Sequence, residues 1–257
     1  MHLISGKRES SVLEAVVIIP TYNEADNIQR FLTQVRQDAP NTDILVVDDN
    51  SPDGTAKLAE SVASQLGSIK VINRTGKRGY AAASKEAMQS AIDSGYEVIA
   101  TMDADFSHDP LVLEQLIAQV ASGSSLVIGS RYVADGKVTN WSLFRRVLSK
   151  WGNLYTAFCL RLKIKDCTSG FRAYSAKSLA QINLDNLTAD GYAFLTEMAF
   201  VISRNDLGTV TELPINYVDR AFGDSKMNTR IMRESMLLVT RWGIALRTGI
   251  GRKHLPR

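Results

Sequence analysis

The chain of 257 residues is 45% hydrophobic and 22% charged, and its formal net charge is +3 at pH 7. This composition is typical of a globular protein with one large domain, or one domain with an extension. No apolar run approaches the roughly 18 residues of a membrane-spanning helix, and the first residues lack the apolar core of a signal peptide. Cys159 and Cys167 provide neither a disulfide framework nor a zinc-binding spacing, so we expect a cytoplasmic chain, soluble or peripheral to a membrane.

Apolar runs in the first half predict five strands, at Ala15–Ile19, Ile44–Asp48, Ile69–Ile72, Val98–Met102 and Leu126–Ile128. Apolar residues spaced three or four apart between these runs predict four helices, over residues 25–37, 53–66, 79–94 and 110–121. Such alternation predicts an α/β fold with a mostly parallel sheet and helices on both faces. The glycine-rich dinucleotide fingerprint is missing after the first strand, which argues against a nicotinamide or flavin enzyme.

The second half begins with an amphipathic helix predicted over residues 143–162. An apolar helix face of this kind packs on a protein core more often than it lies on a membrane, so we expect core packing. A strand pair is predicted at Gly170–Tyr174 and Val210–Val218, with a helix near Phe194–Ser203 between the two strands. Residues 228–248 predict a last amphipathic, basic helix.

The charge is distributed unevenly along the chain. From Arg220 to Arg257, nine basic side chains stand against two carboxylates, so this segment carries +7 and residues 1–219 carry −4. A basic C-terminal region is expected to meet an anionic partner, such as phospholipid, nucleic acid or a phosphorylated substrate. A solvated helix face is the alternative explanation of the same charges.

Polar residues follow the first two predicted strands. The segment Pro20–Glu24 offers the Tyr22 ring for stacking a base, or a simple helix N-cap. The segment Asp48–Thr55 has the spacing of an EF-hand calcium loop, but a strand enters it where an EF-hand requires a helix. We therefore expect Asp48 or Asp49 to accept a hydrogen bond from a base edge, while the following turn leads into a helix.

Two further motifs predict an anion site with a metal. The cationic glycine turn over residues 74–79 opens a helix, where backbone N–H groups and the helix dipole favour an anion such as a diphosphate. Asp103 and Asp105 follow the fourth predicted strand, and their hard carboxylate oxygens suit a divalent metal that also binds substrate phosphates. For so short a motif on its own, an acidic turn without a metal is the alternative.

Taken together, these motifs resemble the family-2 glycosyltransferases of the GT-A fold, over nearly the whole chain. The likeness is greatest to polyprenol-phosphate (dolichol-phosphate) mannosyl synthases. It rests on PTYNE from Pro20, VDDNSPDGT from Val47, MDADFSHDP from Met102, GSRY from Gly129, DCTSGFRAY from Asp166, GYAFLTEM from Gly191 and RAFGDSK from Arg220. The resemblance implies a Rossmann-like, mostly parallel sheet, in a catalytic domain over 1–228 with a basic amphipathic extension over 229–257.

On the donor side, the resemblance implies a nucleotide sugar, usually GDP-mannose, bound with Mg²⁺ or Mn²⁺. Asp103 and Asp105 match the metal-diphosphate site of the family, and Ser107 stands where some relatives place a glutamine. The nucleotide site implied by the match consists of Pro20, Tyr22, Glu24, Asp49, Lys77, Gly79, Asp103, Ala104 and Asp105.

On the acceptor side, the resemblance implies a polyprenyl monophosphate, to which mannose is transferred with inversion. A phosphate is largely dianionic at neutral pH, so cations that position two anions are needed more than a general base. The acceptor-phosphate positions of the family match Arg131, Arg145, Ser149, Arg220, Ser225 and Lys226. Asp105 and Arg131 are the expected catalytic residues, although Arg131 would alternatively pair with a carboxylate within the sheet.

For three residues in the matched motifs two roles remain open, and for a fourth we expect a structural role. Asp166 and Ser169 bind the sugar or shape a turn, and Glu197 contacts mannose hydroxyls or caps a neighbouring segment. For Arg172 we expect a structural role.

The alternatives are an enzyme of the same fold that uses UDP-glucose or another nucleotide sugar, a D-x-D phosphatase, and a non-catalytic lipid-binding protein at a membrane surface. Nucleic acid is not an expected partner, because no interleaved aromatic and basic platform is present. Trp151, Trp242 and the two basic amphipathic helices predict peripheral binding to the cytoplasmic face of a membrane. A small membrane-anchoring protein is a candidate partner there.

Overall fold

A computed structural model describes the protein over residues 13–75, 79–191, 193–219, 229–251 and 255–256. The strands in these ranges are β1 (Ala15–Thr21), β2 (Asp43–Asp48), β3 (Ile69–Asn73), β4 (Val98–Thr101), β5 (Ser124–Ser130), β6 (Lys137–Thr139), β7 (Arg172–Ser175), β8 (Thr209–Pro214) and β9 (Asn216–Val218). The helices are α1 (Ile28–Asp38), α2 (Thr55–Leu66), α3 (Tyr80–Asp93), α4 (Leu113–Ala121), α5 (Leu143–Leu160), α6 (Ala176–Leu179), α7 (Ala193–Arg204) and α8 (Thr229–Thr248).

Seven strands form one central sheet in the order β3-β2-β1-β4-β7-β5-β8. Neighbouring strands are parallel except at β7, which runs antiparallel to both β4 and β5. Helices α1, α2 and α4 cover one face of the sheet, and α3 and α7 cover the other. The alternating side chains of β1 enter both cores, which explains why it is apolar at every position from 15 to 19. The predicted α/β fold with a mostly parallel sheet is confirmed.

The predicted pairing of the last two sheet strands is wrong. Strands β7 and β8 both pair with β5, which lies between them, and they do not pair with each other. Strands β6 and β9 form a separate parallel pair that the sequence analysis missed. An apolar run marks a strand but does not specify its neighbours, because the order of strands depends on contacts between distant segments.

The expectation that the amphipathic helix packs its apolar face on the core is also wrong. Six large side chains of α5 are 50–77% exposed, and we call them the α5 apolar face: Leu143, Phe144, Val147, Trp151, Leu154 and Phe158. The opposite side of α5 is buried through Asn153, Thr156, Cys159 and Leu160. None of the helices in the described ranges is long and apolar enough to span a membrane.

The inward side of α5 is small and polar because it packs closely on α8. A Cβ added to Gly243 of α8 would lie 3.0 Å from the carbonyl oxygen of Cys159, so glycine permits this approach. Trp242 stacks on Phe200 of α7 with ring centroids 6.1 Å apart and is 1% exposed. The prediction that Trp242 lies at a membrane surface is therefore wrong, since its ring fills the core between α7 and α8. The division into domains at 228/229 stays a prediction.

Arg172 has the structural role that we expected. Its guanidinium is fully buried and donates to the carbonyl oxygens of Ser169, Leu195 and Cys167 at 2.6–2.7 Å. These bonds tie the start of β7 to α7 and to the loop that precedes β7.

We expect Arg172→Met to lower the free energy of unfolding by about 3 kcal/mol, because it removes three hydrogen bonds from a charged donor to buried carbonyls, and the Cys167 carbonyl keeps only the Thr196 hydroxyl. Urea denaturation measures the change. Arg146→Met is the matched control, since Arg146 is exposed and donates to one carbonyl, that of Val138. An effect of Arg172→Met no larger than that of the control would contradict this assignment.

Candidate active site

The predicted donor residues meet where the parallel strands β1, β2 and β4 end. Thr21 pairs with Asp48 across β1 and β2, and Ile18 pairs with Thr101 across β1 and β4, so all three strands point to one edge. The segments that follow each strand therefore lie together. These segments contain Tyr22, Glu24, Asp49, Asp103, Ala104 and Asp105, and Pro20 is the penultimate residue of β1.

Of the two aspartates after β2, only Asp49 remains a candidate for contacting a base. Asp48 is fully buried and accepts hydrogen bonds from the Thr21 hydroxyl at 2.9 Å and the Ser51 main chain at 2.7 Å. Asp49 accepts the Gly79 N–H at 2.6 Å and forms an ion pair with Arg74. Because Gly79 has φ +126°, a conformation open to glycine, this turn can bring its N–H onto the carboxylate.

The loop after Asp49 orders the segment that follows β1 through its own hydrogen bonds. Asp53 accepts the Thr55 N–H at 3.0 Å at the start of α2 and the Ala25 N–H at 3.0 Å. The Ser51 hydroxyl accepts the Asn23 N–H at 2.9 Å. These bonds commit the polar groups to the protein's own main chain, in agreement with the rejection of an EF-hand.

Asp103 and Asp105 differ in their surroundings. Asp103 is partly exposed, whereas Asp105 is 5% exposed and accepts the Ser107 main-chain N–H at 3.1 Å. A Cβ on Gly170 would come within 3.4 Å of one Asp103 oxygen and 3.6 Å of the other, so glycine keeps side-chain carbon away from that side of the carboxylate. Ala104, between the two, is 2% exposed and packs in the core.

These residues fit a divalent metal held partly by the protein. Asp103 and Asp105, with a glycine at position 170 beside Asp103, match the way Mg²⁺ is bound by one or two carboxylates together with substrate phosphates. Among the described residues no cluster of three or more metal-ligating side chains is present. The remaining ligands would therefore come from a diphosphate and water.

Because β7 runs antiparallel to β4, the loop that precedes β7 reaches the same edge of the sheet. Thr101 at the end of β4 pairs with Arg172 at the start of β7, so the loop preceding β7 faces the end of β4. The Thr101 hydroxyl donates to the Gly170 carbonyl at 2.7 Å. Gly170, near the end of this loop, thus lies beside Asp103.

A cavity of about 290 Å³ is shared by one predicted donor residue and three predicted acceptor residues, whereas the other described donor residues do not line it. Asp103, Arg131, Arg145 and Ser149 all line it. Its far wall is formed by α5 and α8 and includes the apolar side chains Leu148, Trp151, Met236 and Val239. Lys77, Arg220, Ser225 and Lys226 lie outside the described residues.

Arg131 is held in a buried ion pair at the end of β5. Its Nε and Nη2 each donate to Asp166 at 2.7 Å, Nη2 also donates to Thr168 at 2.8 Å, and its main-chain N–H donates to Asp166 at 3.0 Å. The rings of Tyr132, Trp141 and Tyr217 surround the guanidinium at 5.3–5.6 Å. Of the two roles considered for Asp166, these bonds give it the structural one of shaping the loop. Arg131 pairs with this carboxylate and also lines the cavity.

The ion pair sets the ionisation of both partners. Burial by itself raises the pKa of Asp166, but the adjacent Arg131 charge and its hydrogen bonds outweigh burial and hold that pKa below the usual value of 3.8. Burial opposes the charge of Arg131, but Asp166 outweighs it and raises the pKa of the guanidinium. Both groups are therefore charged at neutral pH.

The other predicted acceptor residues that the structure describes, Arg145 and Ser149, and the motif residue Glu197 also contact neighbours. Arg145 forms a partly exposed ion pair with Asp219 at 2.9 Å and lies over the Trp141 ring at 4.1 Å. The Ser149 hydroxyl accepts the Tyr132 hydroxyl at 2.7 Å. Glu197 accepts the Thr188 and Ala189 N–H groups at 3.0 and 2.9 Å and so has a capping role.

Three cavity residues were missed by the sequence analysis: His108, Trp141 and Tyr217. His108 stands inside the motif that starts at Met102, but nothing in the spacing marked its side chain as part of a site. Trp141 and Tyr217 lie just after β6 and within β9, a strand pair that the sequence did not predict. Burial lowers the pKa of His108 to about 4, with Asp105 opposing and Arg131 reinforcing the shift, so its imidazole is neutral.

We expect Asp166→Asn to lower the free energy of unfolding at pH 7 by about 3–5 kcal/mol, because it leaves the Arg131 charge buried without a partner. The folded-state pKa of Asp166 is depressed, so its stabilisation is present above about pH 4 and is lost as the pH falls towards the folded value. The difference between wild type and variant should therefore shrink below pH 4 in urea titrations. Asp219→Asn, which opens the partly exposed pair with Arg145, should cost no more than about 1 kcal/mol. Equal losses in the two variants would contradict the expectation.

Comparison with known proteins agrees with this arrangement. Residues 16–182 match the model of the family described as glycosyl transferase family 2. The chain is 42% identical over 236 residues to an undecaprenyl-phosphate mannosyltransferase from Micrococcus luteus, covering 91% of this chain and 96% of that protein. It is 42% identical over 230 residues to a polyprenol monophosphomannose synthase from Mycolicibacterium smegmatis, covering 89% and 86%.

Solved structures share the fold. The glucosyl-3-phosphoglycerate synthase of Mycobacterium tuberculosis, in complex with Mn²⁺, UDP-glucose and phosphoglyceric acid, superposes with a TM-score of 0.65 at 18% identity, covering 93% of this chain and 80% of that one. A mannosyltransferase from Pyrobaculum calidifontis, in complex with GDP-Man and Mn²⁺, gives a TM-score of 0.59 at 19% identity, covering 92% and 65%. The fold is that of the GT-A glycosyltransferases. The strand-end carboxylates, the cavity and these likenesses together show that the chain belongs to glycosyl transferase family 2.

Proposed function

We propose that this protein transfers mannose, with inversion, from GDP-mannose to a polyprenyl monophosphate in a metal-dependent reaction. The observation that carries the proposal is the single cavity that joins Asp103 to Arg131 and continues to an apolar wall between α5 and α8. The relatives from Micrococcus and Mycolicibacterium, both named as acting on polyprenyl phosphates, support it. The same support does not extend to UDP-glucose as donor or to a non-catalytic lipid-binding role.

On the donor side, Asp103 and Asp105 would hold Mg²⁺ or Mn²⁺, which when bound neutralises the charge that develops on the departing diphosphate. The Ser107 N–H keeps the Asp105 carboxylate in place. Asp49, tied to Gly79, contributes an acceptor for the base, and the partly exposed Tyr22 contributes a ring.

On the acceptor side, Arg131 provides a fixed cation. Its Nε and Nη2 are occupied by Asp166 and Thr168, and no bond from its Nη1 is formed within the described ranges, so Nη1 remains for an acceptor phosphate. Arg145 and Ser149 line the same cavity. Because the phosphate is already dianionic near neutral pH, positioning it against the sugar replaces general-base catalysis.

The apolar wall and the α5 apolar face suit a lipid substrate at a membrane surface. Leu148, Trp151, Met236 and Val239 offer hydrocarbon to a prenyl chain whose phosphate lies near Arg131. The exposed side chains of α5 form an amphipathic surface with Arg146 and Lys150 beside them, which favours an anionic bilayer. We therefore place the enzyme peripherally on the cytoplasmic face of a membrane, and a small anchoring partner stays a prediction.

With radiolabelled GDP-mannose, a polyprenyl phosphate and Mg²⁺ or Mn²⁺, we expect chloroform-soluble labelled product. Asp105→Asn should lower kcat on the order of a hundredfold or more, because a charged group of the reaction centre is lost. Asp93→Asn, at an exposed position ending α3, is the matched control and should leave kcat unchanged. Absence of labelled lipid with every metal and lipid, or preferred transfer from UDP-glucose, would contradict the proposed function, and near-normal turnover by Asp105→Asn would remove the metal role.

We expect the protein to float with anionic liposomes and Phe144→Ser/Phe158→Ser to weaken this binding at least about tenfold, because two exposed rings no longer enter the interface. Leu111→Ser is the control, since Leu111 is 61% exposed but lies outside α5. Comparing flotation at low and high salt measures how much of the liposome binding is electrostatic. Failure of the wild type to float at either salt, or equal losses in control and double variant, would overturn the membrane assignment.

A further inference from the structure

Three side chains on the cavity wall, His108, Trp141 and Ser169, have a buried polar atom without a hydrogen-bond partner among the described residues, and His108 and Ser169 are themselves buried. His108 is 3% exposed and Ser169 is 4% exposed, and both line the cavity that also contains Asp103 and Arg131. The Nδ1 atom of His108 and the hydroxyl of Ser169 are buried and make no hydrogen bond with the described residues. A buried polar atom without a partner costs about 1–3 kcal/mol, so such a pair at one site indicates a missing ligand group.

The position of His108 is fixed by aromatic contacts on two sides. Its ring stacks on Phe171 at 5.0 Å and meets the edge of Tyr217 at 5.6 Å. Tyr217 is in turn held by β9, where the Val218 N–H donates to the Ser107 carbonyl at 3.2 Å. These contacts hold the plane of the imidazole on the cavity wall.

Ser169 is fixed through its main chain instead. Its carbonyl accepts the Arg172 Nε–H at 2.7 Å, which holds the loop before β7 against the end of β4. The next residue, Gly170, keeps side-chain carbon away from one side of the Asp103 carboxylate. Ser169 thus lines the same cavity as Asp103, one residue before the glycine that approaches that carboxylate.

The hydrogen-bonding capacity of His108 and Ser169 indicates which part of a substrate they would bind. A neutral imidazole has one donor and one acceptor nitrogen, and a serine hydroxyl both donates and accepts. Phosphate groups offer only acceptors at this pH and already have Arg131 and the metal site. Sugar hydroxyls both donate and accept, so they match what the wall offers.

We propose that His108 and Ser169 bind the hydroxyls of the transferred hexose and are specificity-determining residues for the donor sugar. This inference rests on the proposed function, because it takes the sugar to lie between Asp103 and Arg131. It adds two contacts that would orient the anomeric carbon towards the acceptor phosphate, with each buried hydrogen bond formed only when the sugar is present.

The test compares GDP with GDP-mannose, both in the presence of Mg²⁺, by calorimetric titration and steady-state kinetics. His108→Phe keeps an aromatic ring between Phe171 and Tyr217 but removes both nitrogens. We expect kcat/KM for GDP-mannose to fall about ten- to hundredfold while the Kd for GDP changes less than about twofold. His108→Asn, which restores a donor and an acceptor, should recover part of the loss.

Ser169→Ala removes a single hydroxyl and provides a second test should the larger change at His108 disturb folding. It should lower kcat/KM about five- to thirtyfold, again with the Kd for GDP unchanged. Tyr96→Phe is the matched control, because it removes a ring hydroxyl that bonds Asp43 at the opposite edge of the sheet. The control should keep wild-type kinetics.

The outcomes separate this inference from the proposed function. A wild-type enzyme that transfers no mannose refutes the proposed function itself. An active wild type with His108→Phe and Ser169→Ala within twofold of its kcat/KM refutes only the sugar contacts. Equal weakening of GDP and GDP-mannose binding in either variant would show that the residue supports the fold, and would also overturn the inference.

Discussion

The buried ion pair between Arg131 and Asp166 is the interaction on which the site depends. It connects the end of β5 to the loop before β7, and Asp166 also accepts the main-chain N–H of Arg131, so this arginine is held through both its main chain and its guanidinium. Removing a guanidinium from water is costly, and a well-placed carboxylate offsets the cost. The pair thereby keeps a permanent cation inside a cavity where an unpaired arginine would be unstable.

The reversal of β7 complements this pair. In a wholly parallel sheet the loop preceding a strand lies at the edge away from the ligand site. Because β7 runs against β4, its preceding loop instead reaches the carboxyl end of β4, beside Asp103. One antiparallel strand therefore brings Gly170 beside Asp103 and Ser169 to the same cavity, and Arg172 holds the loop through the carbonyls of Ser169 and Cys167.

Helix α5 links the site to its surroundings by having two unlike sides. Its small and polar side carries Asn153, which accepts the Cys167 N–H at 2.7 Å, and Cys159, which contacts Gly243 of α8. Its large apolar side faces outward. Amphipathic periodicity shows that a helix has two sides, but the partner of each side depends on what the rest of the chain places there.

The sequence by itself determined the strands and helices of the first half, the parallel sheet and the position of Asp49, Asp103 and Asp105 after strand ends, because local periodicity and strand direction fix these features. Only the tertiary structure decided that Asp48 is structural, that β5 separates β7 from β8, and that Trp242 is buried. It also brought His108, Trp141 and Tyr217 to one cavity, from segments more than thirty residues apart. Such contacts form between distant parts of the chain, so the local pattern of residues does not predict them.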